Sequence, residues 1–235
     1  MAKKQTFGDK TSKQKQTKNI IKLIRVFRND KVGSMKFSKE MVKIPDGKEA
    51  KNYVKELLLS ENGQILMTAH MGNWEMTIPI LSQFKKIAAV VKIQNNSGGD
   101  KFIQKNRRFD NTTLIPMRGS RKKMIKSLLE GKILILASDQ NAGDRGTKIS
   151  FFGKETSIPK GAAYFYYKTN CPIVVGFCIL KEDYSYEFKL RPLNVIHDND
   201  IKNICIDVNT KYSLLLEEEI KKYPEQYFWF HKKWG

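Results

Sequence analysis

The sequence contains no apolar run approaching the roughly 18–20 residues that a membrane-crossing helix needs. Its longest, Pro172 to Leu180, has the length of a buried strand. The basic N-terminus lacks the apolar core of a signal peptide, so any work at a membrane is expected at the surface. Cysteine is scarce. Cys171, Cys178 and Cys205 form an odd set with no C-x-x-C pair, which argues against a disulfide framework or a zinc site and fits a reducing cytoplasm. Cys171 and Cys178 read as buried thiols in an apolar stretch. There is no phosphate loop of the G-x-x-x-x-G-K type and no His/Asp/Glu cluster at ligand spacing. Neither a metal nor a resident cofactor is expected. Acidic residues are the minority, 24 against 43 Lys and Arg in 235 residues, for a formal net charge of +19. That excess bears on partners rather than on fold: nucleic acid, anionic lipid and an acidic carrier protein all qualify. No helix-turn-helix, zinc finger or aromatic RNA-binding signature is present, and a nucleic-acid partner is not expected.

What is present is the composition of a globular protein, 40% hydrophobic and 29% charged, long enough to bury a sizeable core. Met1 to Thr17 reads as a mobile basic segment, and 18–235 as a single domain. Lys18 to Arg28 reads as a helix with Ile20, Ile21, Leu23, Ile24 and Phe27 on one face and Lys18, Lys22 and Arg25 near the other. Such a helix lies in an anionic lipid interface or packs on the core with a solvated basic face; both readings stay open. Gly47 to Leu59 reads as a further helix. From there short apolar strands (Gln64 to His70, Lys86 to Ile93, Thr112 to Met117, Lys132 to Ser138) alternate with helices (Trp74 to Gln83, Asp100 to Phe109, Ser120 to Glu130). A loop from Asp139 to Pro159 precedes helix Lys160 to Lys168, strands Pro172 to Leu180 and Tyr186 to Leu193, and a last helix from Asp200 to Lys222. The alternation predicts an α/β fold, a mostly parallel sheet with helices on both faces. Sites in such sheets gather at the carboxyl ends of the strands. The two polar loops there are His70 to Glu75 and Asp139 to Gly146.

His70 ends the first of those strands, Gly72 and Asn73 suit a sharp turn, and Glu75 falls in the first turn of the next helix, where the helix dipole keeps a carboxylate ionised. The four-residue spacing allows the Glu75 carboxylate to return to the imidazole, fixing its tautomer and raising its basicity. A histidine so held takes a proton from an alcohol as the oxygen attacks a carbonyl, with the substrate supplying the hydroxyl. The competing reading is a structural ion pair, and H-x4-E alone does not decide between them.

Three blocks in order resemble the lipid A late acyltransferases, the lauroyl and myristoyl transferases. Thr68-Ala69-His70-Met71-Gly72-Asn73-Trp74-Glu75 looks like that family's T-A-H-x-G-N-W-E block. Asp139-Gln140-Asn141-Ala142-Gly143, Phe151-Phe152-Gly153 and Asn170-Cys171-Pro172-Ile173-Val174 are similar to its D-Q-x-x-G, F-F-G and T-G-x-P-V-V pattern. Pro224 to Trp234 looks like its P-E-Q-W-x-W-x-H-R-R-W ending. The likeness covers roughly residues 18 to 235.

The resemblance implies a glycerolipid-acyltransferase-like fold. It also implies transfer of a fatty acyl chain from acyl carrier protein or coenzyme A onto a hydroxyl of a lipid A precursor, with His70 as base and Glu75 orienting it. Other glycolipids, such as a mannosylated phosphoinositide, are alternative acceptors. A non-catalytic basic protein that binds nucleic acid or membrane is the alternative from another class. Arg107 corresponds to an arginine near the family's active site and would hold a thioester oxyanion or a lipid phosphate; Arg108 competes for that role. Asp139 and Gln140 position substrate or brace the His70 loop. The acyl chain needs an apolar groove, for which Trp74, Met76, Ile78 and Phe151 are candidates. His231, among Trp229, Phe230 and Trp234, suits a lipid-headgroup interface or a packed terminal segment, the latter preferred; His197 reads as a surface residue. The expected place is the cytoplasmic face of the inner membrane, peripherally bound, with a soluble cytoplasmic form as the alternative. Two departures stand out: the family's N-terminal membrane-spanning helix is not found, and Phe109 and Asp110 replace residues that are basic or glycine in many relatives.

Overall fold

The computed structural model describes residues 20–28, 35–43 and 61–234, and the chain divides into two compact units, 1–49 and 50–235. In the first unit β1 (Ile20–Arg28) and β2 (Met35–Lys43) pair antiparallel, from Ile20↔Lys43 to Arg28↔Met35. This corrects the helix expected over Lys18 to Arg28. Ile20, Ile21, Ile24 and Val26 are β-branched, stiff at χ1 and favoured in strands. A cluster of apolar residues at three- and four-residue spacings also fits a strand whose odd and even positions are both apolar. The expected mobile segment, Met1 to Thr17, and the expected helix Gly47 to Leu59 lie outside the described residues.

The second unit runs β3 (Gln64–Thr68), α1 (Thr77–Leu81), β4 (Ile87–Val91), α2 (Ser97–Asn106), β5 (Thr112–Pro116), α3 (Arg121–Leu129) and β6 (Ile133–Ala137). It continues through the hairpin β7 (Thr147–Phe151) and β8 (Lys154–Ile158), then α4 (Gly161–Thr169), β9 (Ile173–Leu180), β10 (Tyr186–Leu193) and α5 (Ile201–Lys222). Six strands form one sheet in the order β10-β9-β3-β6-β4-β5, parallel throughout except for β10. This is the expected α/β architecture. Period-two alternation divides the core between the two faces. Ile65 and Met67 join α3, α4 and α5 through Leu128, Phe165, Val208 and Leu216. Leu66 joins α1 through Ile78 and Leu81. Central strands buried on both faces need near-continuous apolar sequence, which Gln64–Thr68 and Ile133–Ala137 supply. Among the described residues no helix is long and apolar enough to cross a membrane.

The expected loop Asp139 to Pro159 contains the β7–β8 hairpin. Its signal is short: Thr147, Ile149 and Phe151 are buried and alternate with exposed Lys148 and Ser150. Phe152 and Gly153 turn the chain with φ of 50° and 74°, as the tightest hairpin connections require.

After α5 the chain does not trail away but straps back across the carboxyl ends of the sheet. Pro224 opens a single 3-10 turn. The Gln226 side chain then bonds Leu180, accepting from its N–H at 2.9 Å and donating to its carbonyl at 2.8 Å. Met71 bridges to Tyr227, and the Phe228 N–H donates to the His70 carbonyl at 2.9 Å. Farther on, Lys233 is only 4% exposed. Its ammonium donates to the Asp139 carbonyl and lies 4.6 Å from the centre of the Phe151 ring. Its own carbonyl accepts from Asn141 Nδ2 at 3.0 Å and Thr156 Oγ1 at 2.6 Å.

Gly72 sits between this strap and β9. Its N–H donates to the Gln226 carbonyl at 2.7 Å, and the next N–H, of Asn73, donates to the Cys178 carbonyl at 2.9 Å. With φ at +58°, a Cβ there would meet the Cys178 carbonyl oxygen at 2.0 Å, so two independent penalties fall on any side chain. Gly72→Ala is expected to destabilise the fold by at least about 2 kcal/mol, read as a lowered urea midpoint. A second expectation concerns Lys233. Burial pulls its ammonium down from the ordinary 10.5 to about 8, against an opposing pull from Asp139. The unfolded chain therefore holds this proton over a pH range in which the folded chain has released it, and stability attributable to Lys233 rises with pH from about 8 toward 10.5. The stability difference between wild type and Lys233→Met should shift in favour of wild type by about 2 kcal/mol between pH 7 and 9.5; urea unfolding of both proteins at each pH measures it.

Candidate active site

The site follows from strand register. β3 and β6 are adjacent and parallel, with Gln64 opposite Ile133 and Thr68 opposite Ala137. His70 and Asp139 each lie two residues beyond those paired ends. The Ser138 N–H donates to the Thr68 carbonyl at 2.9 Å, carrying the alignment one step past the strands. The result is a hydrogen bond of 2.8 Å between His70 Nδ1 and Asp139 Oδ1. Asp139 is buried at 2% exposure, whereas the His70 side chain retains 24%. A buried carboxylate needs partners. Asp139 has a second one in the Tyr227 hydroxyl, which burial and this carboxylate push far above its usual range. The Lys233 ammonium lies beside it. From the opposite side the fully buried Tyr212 donates to the Thr68 carbonyl at 2.8 Å, bracing the end of β3.

With Nδ1 held by Asp139, Nε2 is the ring nitrogen left for chemistry. His70 lines a cavity of about 710 Å³. The buried part of its lining, its floor, is apolar, from Ile78, Ala89, Val91, Ile135, Met124 and Phe165. The partly or fully exposed part, its mouth, carries Glu75, Arg107 and Gln140 together with Lys92, Arg121 and Lys160. Trp74 meets the His70 ring edge-on, with centroids 5.3 Å apart. No hydroxyl or thiol of the described chain is hydrogen-bonded to His70, whose partner is Asp139. The nearby thiol Cys178 is buried, and desolvation pushes it up to about 12, which removes it as a thiolate nucleophile.

Glu75 sits where the sequence places it, in the short 3-10 turn Trp74–Met76 ahead of α1, but its partner is not the one expected. Instead of returning to His70, the carboxylate meets Arg107 at the end of α2. Arg107 Nε donates to Oε2 at 2.9 Å and Nη2 donates to Oε1. These bonds hold the Glu75 carboxyl below its ordinary range, opposed by partial burial and aided by Trp74 and His70. The same bonds push Arg107 upward. The correction has a geometric cause: the 3-10 turn carries Glu75 outward along the cavity rim, while Asp139 already occupies the Nδ1 side of the imidazole. The Glu75 side chain is 47% exposed, so the pair adds at most about 1 kcal/mol to stability; its effect is to fix where the guanidinium sits.

Of the two candidate arginines Arg107 lines the cavity, together with Arg121 from α3, and Arg108 is not in its lining. Gln140 lines the cavity and Asp139 does not. Of the expected groove residues Trp74 and Ile78 line it, while Met76 and Phe151 are buried elsewhere. Phe151 packs instead under Lys233 and Trp234. His231 Nε2 accepts the Asn141 N–H at 3.3 Å, the packed role preferred for it. Tyr227 and Lys233 belong to the site's support. Their signal was present in the aromatic and basic C-terminal block, but the block does not show which of its residues turn inward.

The sequence profile of the family described as "Bacterial lipid A biosynthesis acyltransferase" matches residues 6–235. The chain is similar to the lipid A biosynthesis palmitoleoyltransferase of Escherichia coli (strain K12), 21% identical over 188 residues that cover 79% of this chain and 60% of that protein. It is similar to the same degree, over the same shares, to the lipid A biosynthesis acyltransferase of Shigella flexneri. It therefore spans about 60% of the length of the relatives it matches. A profile match over almost the entire sequence, with His70 held by a buried carboxylate at the mouth of an apolar cavity, leads to one conclusion: the chain belongs to the bacterial lipid A biosynthesis acyltransferase family.

Proposed function

We propose that this protein is an O-acyltransferase that moves a fatty acyl chain from a thioester onto a hydroxyl of a lipid A precursor, with His70 as general base. The observation that carries this is the 2.8 Å bond from His70 Nδ1 to buried Asp139 at the mouth of an apolar cavity. Asp139 holds the imidazole in the tautomer with Nε2 unprotonated. Nε2 takes the proton of the acceptor hydroxyl as that oxygen attacks the thioester carbonyl. The oxyanion gathers charge beside Arg107, whose Nη1 is not engaged by Glu75, and beside the Gln140 amide. Collapse releases the thiol, which recovers its proton from the imidazolium. The Asp139 carboxylate, bonded to Nδ1, stabilises that imidazolium. In this reading Asp139 takes the orienting role first expected of Glu75, and Glu75 is a positioning residue acting through Arg107.

The donor is an acyl carrier protein or coenzyme A thioester, whose acyl chain occupies the apolar floor. The acidic carrier is drawn by the same field that attracts anionic lipid. The place of action is the cytoplasmic face of the inner membrane, and the architecture is that of glycerolipid acyltransferases. Acceptors of related chemistry, such as a mannosylated phosphoinositide, are separated from a lipid A precursor by identifying the product.

Mass spectrometry of lipid A precursor incubated with acyl carrier protein thioester should show a product heavier by one acyl group. His70→Ala should lower kcat/KM by at least about 10²-fold, and Asp139→Asn should lower kcat in the same direction. Undiminished product from His70→Ala would sink the assignment of the base. The roles of the two carboxylates separate in a double-mutant cycle. If Glu75 acts only through Arg107, Glu75→Gln should cost activity in the wild-type background and almost nothing further in Arg107→Ala. Full additivity would return Glu75 to direct work on His70.

A further inference from the structure

The C-terminal strap has a second side. Tyr227 and Lys233 turn inward, at 7% and 4% exposure, whereas Phe228, Trp229 and Phe230 between them are 38%, 47% and 93% exposed. Three consecutive aromatics facing out is costly for a surface with no partner. They are not loose: the Phe228 N–H is bonded to His70, and the Trp229 indole donates to the Pro224 carbonyl at 2.7 Å. Their rings continue the site outward. Phe228 lies 6.3 Å from the His70 ring and 6.1 Å from Trp74, and Phe230 lies 5.6 Å beyond Phe228. On the other flank Trp229 is 6.4 Å from Phe152, above which Lys221 sits at 5.7 Å, and Lys154 lies over Trp234. Exposed Lys221 and Lys154 thus stand over Phe152 and Trp234, the rings flanking this face, and exposed Lys232 follows the aromatics in sequence. Of the acids nearby, Glu155 is paired with Lys148 and Glu217 accepts the Phe152 N–H, leaving exposed Glu225.

We propose that Phe228-Trp229-Phe230 is an interfacial wedge: Phe230 enters the acyl region of an anionic bilayer while the bordering lysines meet its headgroups, seating the cavity mouth against the membrane. Aromatics at the headgroup level with lysines beside them match the chemistry of that interface, and each nearby cation adds attraction to an anionic surface. Charge selects the occupant. A second copy would bring the same lysines and a net charge of +19, like charges that oppose self-association through this face. The proposal gains its purpose from the acyl-transfer reading, but it is tested without any substrate.

Sedimentation with large unilamellar vesicles of phosphatidylglycerol and phosphatidylcholine measures the partition. Wild type should bind, and binding should weaken as salt rises. Phe230→Glu should lower the partition coefficient by about tenfold or more. Leu129→Glu, at a 72% exposed position at the far end of α3, should leave it unchanged. Lipids brominated in the acyl chain should quench tryptophan fluorescence in wild type and less so in Phe230→Glu. Equal partition of Phe230→Glu and wild type would overturn the proposal, whether binding then resides in the basic residues of 1–49 or nowhere. It would equally be overturned if Phe230→Glu lowered Tm or the oligomeric state and left vesicle binding intact, since the face would then be covered by this chain or by its copy. Loss of acyl transfer in a protein that still binds vesicles through Phe230 would count against the catalytic reading alone.

Discussion

The register between β3 and β6 is the constraint on which the site depends. A one-residue slip in a strand pair turns every side chain to the other face. Here it would also move His70 by about 3.3 Å along the strand direction relative to Asp139, well outside hydrogen-bond reach. The register is secured by burial on both sides. Ile65 and Met67 anchor β3 in one core and Leu66 in the other, and Ile133 and Leu134 do the same for β6. The apolar strands therefore set the relative position of two polar residues that lie beyond their ends. Precision at the imidazole is a consequence of packing some distance below it.

Two carboxylates and two bases stand within this small region, and their pairing decides the chemistry available. Asp139 is nearly inaccessible and supported by Tyr227 and Lys233. Such a group is shielded from exchange with solvent, which in the proposed mechanism makes it the better orienter for His70. Glu75 is half exposed and bound in a fork to Arg107. A fork of this kind fixes a guanidinium plane more firmly than a single contact would. In the proposed mechanism the two pairs do different work: one sets which imidazole nitrogen is basic, the other sets where a fixed positive charge meets the reacting group.

The α/β class was legible because central strands such as Gln64–Thr68 and Ile133–Ala137 are short, apolar and separated by helix-length segments. His70, Arg107, Asp139 and Gln140 were legible as residues, through strand ends and motif blocks. Their pairing was not. Sequence proximity favours Glu75 as the partner of His70, four residues away, while Asp139 is 69 residues distant and becomes a neighbour only once β6 inserts beside β3. The β7–β8 hairpin was hidden because five-residue strands leave a weak alternation. β1 was misread because β-branched residues crowded at helical spacings satisfy two periodicities at once. At His70 a contact distant in sequence outweighed a local preference, whereas at β1 and the β7–β8 hairpin the local pattern itself was ambiguous.

The strap shows how one short segment meets opposed demands. The strap ends His231-Lys232-Lys233-Trp234, with a lysine at the buried position. An arginine in place of Lys233 would remain charged at any pH the fold survives, and its planar fork would demand several acceptors. Lysine presents a single compact ammonium, which one carbonyl, that of Asp139, and one aromatic face, that of Phe151, can accommodate. The consequence is a titratable brace touching the backbone of the residue whose carboxylate is bonded to His70. Lys233 shares its segment with Tyr227, Phe228 and Phe230, so the outward aromatics and the contacts to the Asp139 and His70 carbonyls lie on the same few residues. Surface and site are joined here by one backbone hydrogen bond, from the Phe228 N–H to the His70 carbonyl, and by the Lys233 side chain on the Asp139 carbonyl.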